Sequence, residues 1–131
     1  MNPTTLVEPD RVHRSVYTDQ EIFDQEIKNI WEKTWVYCGH ESQIPSSGDY
    51  HTLHIGKQPM VMIRGHEGEI NVLYNRCPHR GVQVCGALKG NSGKSLACPY
   101  HGWSFHLDGK IQAIPLKTAY DGTRLSFDDP N

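Results

Sequence analysis

Cys77-Pro78-His79-Arg80-Gly81 and Cys98-Pro99-Tyr100-His101-Gly102-Trp103 each place one thiol and one imidazole within a few residues of each other. Two thiolates and two neutral imidazoles are the ligand count of a two-iron, two-sulfide centre in which the thiolates hold one iron and the imidazoles the other. Such a centre is less negative than one held by four thiolates, so it takes up an electron at a higher potential. In this reading Cys77 and Cys98 hold a buried iron, and His79 and His101 hold the outer one. Each imidazole binds iron through one ring nitrogen and keeps the other for solvent or a partner, which makes that edge the exit for an electron.

The neighbouring residues suit the same task. Pro78 and Pro99 fix φ directly after each cysteine and remove an N–H that would need a partner. Gly81 and Gly102 stand where a tight loop needs positive φ or a close backbone approach, leaving other loop amides to point at sulfur. A Cys2His2 zinc site uses the same ligand types. Its usual spacing is wider than Cys-x-His, and a zinc-stabilised binding module would be colourless. A Cys77–Cys98 disulfide fits poorly, because the start of the chain is polar and lacks the apolar run of a secretion signal. Reduced thiols, and hence a cytoplasmic protein, are expected.

The other cysteines and histidines read as bystanders. Cys38 closes the apolar run Trp35-Val36-Tyr37, expected to be a buried strand, and Cys85 follows Val82-Gln83-Val84; both suit small core positions. His51 and His54 lie three apart in a strand-like segment and face opposite sides. His13, His40, His66 and His106 have no companion at metal-ligand spacing.

At 131 residues and 37% hydrophobic content the chain can bury a modest core. Its formal net charge is -2, with no basic cluster to support nucleic-acid binding. No stretch has the apolar length of a membrane span.

The site segments need a frame. Residues 1–34 are expected to form an arm, extended over Met1 to Val16, and then a helix. Thr18-x-x-Glu21 reads as its capping box, and Ile22, Phe23, Ile27, Ile30 and Trp31 give it an apolar face. Residues 35–131 read as a small antiparallel β domain. Its candidate strands are Trp35 to Cys38, Tyr50 to Ile55, Met60 to Arg64, Ile70 to Tyr74, Ser95 to Ala97, Trp103 to Leu107 and Lys110 to Ile114. Asp108-Gly109 between two alternating runs predicts a hairpin. Both Cys/His segments then fall on loops, placed to close on a cluster from two sides.

These motifs resemble the Rieske [2Fe–2S] domain of bacterial aromatic ring-hydroxylating oxygenase large (alpha) subunits. The likeness runs through Trp35-Val36-Tyr37, Gln43-Ile44-Pro45, Gly48-Asp49-Tyr50 and Gln58-Pro59 and covers most of the chain. His13 to Gln20 and His40 to Pro45 are similar to benzoate-type subunits, and Ile114-Pro115-Leu116-Lys117 with Tyr120-Asp121-Gly122-Thr123 to salicylate-hydroxylating ones. The resemblance implies Cys77, His79, Cys98 and His101 as cluster ligands and an aromatic carboxylate as substrate class. Respiratory Rieske proteins differ by an extra cysteine in each loop, where this chain has Val82 and Tyr100. They also carry serine and tyrosine hydroxyls at the positions of Trp103 and Phe105. That difference implies a low potential.

By the same resemblance, the domain passes electrons from a ferredoxin or reductase to a mononuclear non-haem Fe(II), in an NAD(P)H-dependent dioxygenase with a small (beta) subunit. No two-histidine, one-carboxylate set for that iron follows His106, and the chain stops at Asp128-Asp129-Pro130-Asn131. It therefore reads as an amino-terminal part, with no catalytic residue of its own. The alternative is a freestanding Rieske ferredoxin, which would have no need of the arm and capped helix.

Overall fold

A computed structural model of the chain describes residues 3–125. Met1, Asn2 and the residues from Ser126 on, including Asp128 to Asn131, lie outside the described residues. The chain forms two compact units, one running through Tyr37 and one starting at Cys38.

The first unit is more structured than an extended arm. A 3-10 turn, Pro3–Leu6, leads into a two-residue hairpin of β1 (Val7–Glu8) and β2 (Arg11–Val12), in which Val7 pairs with Val12. A single helical turn α1 (Ser15–Thr18) and a helix α2 (Gln20–Glu26) follow, and α2 runs on as a π-helical turn, Ile27–Trp31. The cap of α2 is Asp19, not Thr18. One Asp19 carboxylate oxygen accepts from the amides of Glu21 (2.9 Å) and Ile22 (3.1 Å). The Thr18 hydroxyl instead donates back to the Arg14 carbonyl at 3.3 Å and ends α1. A carboxylate at the N-cap satisfies the same orphan amides and adds charge favourable to the helix dipole. Of the apolar stripe, Ile22 and Ile27 are buried, whereas Phe23, Ile30 and Trp31 are exposed.

Trp35 to Cys38 is not a strand. The segment joins none of the sheets, and Trp35 and Tyr37 are exposed. An apolar run becomes a strand only where it enters a ladder.

The second unit is mainly antiparallel β. A four-stranded sheet has the order β5-β4-β3-β6, from β3 (Asp49–Ile55), β4 (Gln58–Arg64), β5 (Ile70–Tyr74) and β6 (Lys89–Asn91). Central strand β4 carries consecutive buried Val61, Met62 and Ile63, as a strand covered on both faces must. Edge strand β6 is polar Lys-Gly-Asn, invisible to a hydrophobic pattern. Its Gly90 lies under the Tyr50 ring, where an added Cβ would stand 2.8 Å from the hydroxyl oxygen.

A three-stranded sheet, order β7-β8-β9, is built from β7 (Leu96–Ala97), β8 (Ser104–Phe105) and β9 (Ile111–Ala113). The predicted hairpin joins β8 to β9, with Gly109 at φ 91° and the Lys110 amide donating to the Asp108 carboxylate at 3.0 Å. One apolar cluster draws on both sheets, with Val61 and Ile63 from one, Leu96, Phe105 and Ile111 from the other, and Trp103 and Leu107 from the flanking loops. Arg64 pins the approach to β3 by donating to the carbonyls of Ile44 (2.9 Å), Glu41 (3.2 Å) and Gly68 (2.8 Å).

Candidate metal centre

Each sheet presents one of the two Cys/His loops. The first follows β5, and the second joins β7 to β8. The two are closed by the same pair of hydrogen bonds. In the first, the Cys77 amide donates to the Val82 carbonyl (2.8 Å) and the Gly81 amide to the Cys77 carbonyl (2.7 Å). In the second, the Cys98 amide donates to Trp103 (2.8 Å) and the Gly102 amide to Cys98 (3.2 Å). Gly81 and Gly102 both have φ 73°, the left-handed conformation expected of them. A built Cβ on Gly81 meets nothing within 4 Å, so that glycine is needed for its backbone angle and not for space.

The loops bring all four predicted site residues to one place, as two pairs. Cys77 and Cys98 are buried, at 1% and 5% exposure, and their thiols interact directly. Burial pushes the Cys77 thiol up, against the opposing pull of the His79 and Arg80 amides. For Cys98 burial is again the largest single influence and acts upward. The amides of Tyr100 and His101 and the Cys77 thiol together outweigh it and hold Cys98 below its ordinary value. Four loop amides thus point at sulfur and favour its anionic, metal-binding form.

The imidazoles converge in the same way. His79 Nδ1 and His101 Nδ1 lie 3.1 Å apart, with ring centroids at 4.8 Å. Because both Nδ1 atoms face inward, both Nε2 edges face away. Desolvation first, then the charges of His79 and Arg80, lower the His101 imidazole from its ordinary value, the direction that favours the neutral form a metal requires. Among the described residues no group of three or more His, Cys, Asp or Glu is placed to share a single ion. Separate thiol and imidazole pairs suit two metal atoms, one for each pair.

A supporting residue without a motif is Asn75, a buried polar side chain at 1% exposure. Its Oδ1 accepts from the amides of Val84 (3.2 Å) and Cys85 (2.8 Å), and its Nδ2 donates to the Cys85 carbonyl (2.8 Å). The chain leaving the first loop is thereby tied to the strand end that enters it. Its one signal in the sequence is an amide side chain two places before a site cysteine.

Cys38 and Cys85 are not among the groups that influence the Cys77 and Cys98 thiols, although Cys85 shares their buried cluster. Burial pushes the Cys85 thiol up to about 11, and Cys38 is partly exposed. None of the four cysteines is in a disulfide. His66 bridges Ser47 Oγ (3.2 Å) and the Lys94 carbonyl (3.1 Å), and His40 Nδ1 accepts from the Ser42 amide (3.2 Å). Both histidines act as local clamps. No helix among the described residues is long and apolar enough to cross a membrane.

Known proteins are similar to this chain. The alpha subunit of biphenyl 2,3-dioxygenase from Rhodococcus jostii (strain RHA1) is 39% identical over 115 residues, covering 87% of this chain and 25% of that protein. The alpha subunit of toluate 1,2-dioxygenase from Pseudomonas putida is 42% identical over 116 residues, covering 84% and 25%. The chain thus spans about a quarter of the length of these curated relatives. A solved structure of naphthalene 1,2-dioxygenase with indole bound in the active site superimposes with a TM-score of 0.84 at 32% identity. That match covers 97% of this chain and 29% of that one. Residues 34–123, which include both loops, match the model of the Rieske [2Fe-2S] domain. Twin loops that carry paired thiols and paired imidazoles, and that fall within this match, make the chain a member of the Rieske [2Fe–2S] domain family.

Proposed function

We propose that residues 35–131 are the electron-transfer domain of an aromatic ring-hydroxylating dioxygenase alpha subunit. Cys77 and Cys98 hold one iron of a [2Fe–2S] cluster, and His79 and His101 hold the other through Nδ1. The observation that carries this reading is the 3.1 Å approach of the two inward Nδ1 atoms beside a buried thiol pair. The bound cluster supplies reversible one-electron storage. The protein's own groups do the rest. Loop amides stabilise sulfur charge, the core excludes water from the thiols, and the outward Nε2 edges offer the contact through which an electron leaves.

In the parent enzyme, electrons originate from NAD(P)H and arrive through a ferredoxin or reductase. They pass to a mononuclear non-haem Fe(II) in a catalytic domain assembled with a beta subunit. The substrate class we favour is an aromatic carboxylate, supported by the benzoate-like segments His13 to Gln20 and His40 to Pro45 and by toluate and anthranilate dioxygenases among the relatives. A cytoplasmic setting keeps the ligand thiols reduced.

The test is the purified chain itself. Visible absorption that bleaches on reduction, with an electron paramagnetic resonance signal of average g below that of all-cysteine ferredoxins, is the expected result. A colourless, zinc-containing protein would overturn the proposal.

A further inference from the structure

The chain treats its two site imidazoles differently. The indole of Trp103 lies parallel to the His79 ring, with centroids 5.0 Å apart and an interplanar angle of 4°. Tyr120 meets the same imidazole edge-on at 6.4 Å and 84°, and meets Trp103 edge-on at 5.4 Å and 87°. Trp103 is buried, so this platform is anchored in the core. Edge-to-face and offset parallel contacts of this kind fix the relative orientation of rings.

The segment that brings Tyr120 there is itself held. Ile114 is buried, and Pro115 Cγ lies 3.6 Å from where a Cβ on Gly102 would stand. Leu116 is the non-glycine residue with positive φ among the described residues, at 56°. That conformation is uncommon for a bulky side chain, and the Leu116 side chain itself is exposed, so buried Ile114, and Pro115 against Gly102, anchor the segment. The positive φ turns the chain into the 3-10 turn Lys117–Tyr120, which delivers the phenol ring to Trp103 and His79. His101 lies in a different setting. It is exposed, and its ring neighbours are Tyr100, also exposed and 3.7 Å away by centroid, and His79 itself.

We propose that Tyr120 is a positioning residue: directly and through Trp103, it fixes the plane of the His79 imidazole and so makes one iron–nitrogen bond inequivalent to the other. The proposal rests on the ligation by His79 and His101 argued above. His79 is the braced ligand, and His101 is the one that adjusts to whatever meets its outer edge.

The test uses the full chain, loaded with its cluster and reduced, with pulsed electron paramagnetic resonance reading the two ligand-nitrogen couplings. Tyr120→Phe keeps the ring and should retain both wild-type couplings. Tyr120→Ala should shift or broaden one coupling and leave the other unchanged. Tyr120→Leu, which fills similar space without an aromatic edge, should do the same and serves where the alanine variant does not fold. Couplings that both stay unchanged, or that move together, would overturn the positioning role while leaving the ligation intact. Loss of the fold in both Tyr120→Ala and Tyr120→Leu would overturn it in favour of a purely structural role. A wild-type protein without nitrogen couplings would remove the ligation, and this proposal with it.

Discussion

Asn75 and Cys85 are joined in both directions. The Asn75 carboxamide accepts the Cys85 amide and donates to the Cys85 carbonyl, each at 2.8 Å. One buried side chain therefore fixes the exit of the first site loop. Asn75→Leu would strand three backbone groups in the interior, those two and the Val84 amide. The expected loss is about 3 kcal/mol of stability, read from urea unfolding. Asn75→Asp keeps the volume and the acceptor, and in acid, where the protonated carboxyl can also donate to the Cys85 carbonyl, it should lose less; equal losses there would show that these hydrogen bonds do not set the cost.

The thiols divide into two classes. Cys77→Ser and Cys98→Ser should abolish the visible absorption and lower the unfolding midpoint, because ligand loss and folding are coupled. Cys38→Ser and Cys85→Ser should keep the colour, the latter with some loss of core stability. Iron analysis and absorption spectra separate these outcomes, and a Cys85→Ser protein free of iron would refute the assignment.

Gly81 and Gly102 share φ 73°. Alanine at either position must adopt the left-handed conformation, at a cost of about 1 kcal/mol each. Neither substitution should add a steric penalty, since Gly81 has open space and the nearest atom to a Gly102 Cβ is at 3.6 Å. Thermal unfolding should rank the two variants together. Asn at Gly81 should cost less than alanine, because Asn tolerates this region better.

Cys85 makes stability depend on alkaline pH. Its folded value, about 11, lies above the ordinary thiol value of 9.0 because burial disfavours the thiolate. The folded state keeps its proton after the unfolded chain has released one, so stability is intact below pH 9.0 and declines as pH rises toward 11. Denaturant titrations across that window should slope downward, and Cys85→Ala should flatten the slope.

The midpoint potential should lie near the lower end of the roughly -150 to +300 mV Rieske span. Val82 and Tyr100 provide no second cysteine pair, and Trp103 and Phe105 provide no hydroxyl for cluster sulfur. Reduction adds negative charge to the cluster and favours uptake of a proton from solution, so the potential should fall as pH rises. Voltammetry from neutral into alkaline solution measures both quantities, and a flat trace would exclude proton coupling.

Residue pattern revealed much of this architecture, and the reasons for the exceptions are physical. Alternation marks β5, whose residues are exposed and half-buried in turn, and the Asp108-Gly109 turn marks the β8–β9 hairpin. The site residues are legible because ligand chemistry restricts both residue type and spacing. β6 escapes because its strand character comes from pairing with Asp49, Tyr50 and His51, not from its own Lys-Gly-Asn. Trp35 to Cys38 misleads in the opposite sense, since hydrophobicity cannot report whether a ladder partner exists. Thr18 and Asp19 are both good caps, and only the break between α1 and α2 decides between them. Asn75, Trp103 and Tyr120 take their roles from contacts across the fold, which sequence spacing does not encode.

The placement of one loop on each sheet has a consequence for assembly. Neither loop alone contains both thiols or both imidazoles, so no iron of the proposed cluster can complete its protein ligands from a single sheet. A chain with only one sheet formed offers a lone cysteine and histidine, a poor trap for iron. Under that ligation, cofactor capture acts as an inspection step: the domain acquires its colour only once both halves of its β structure have met, and an iron-loaded molecule certifies its own correct construction.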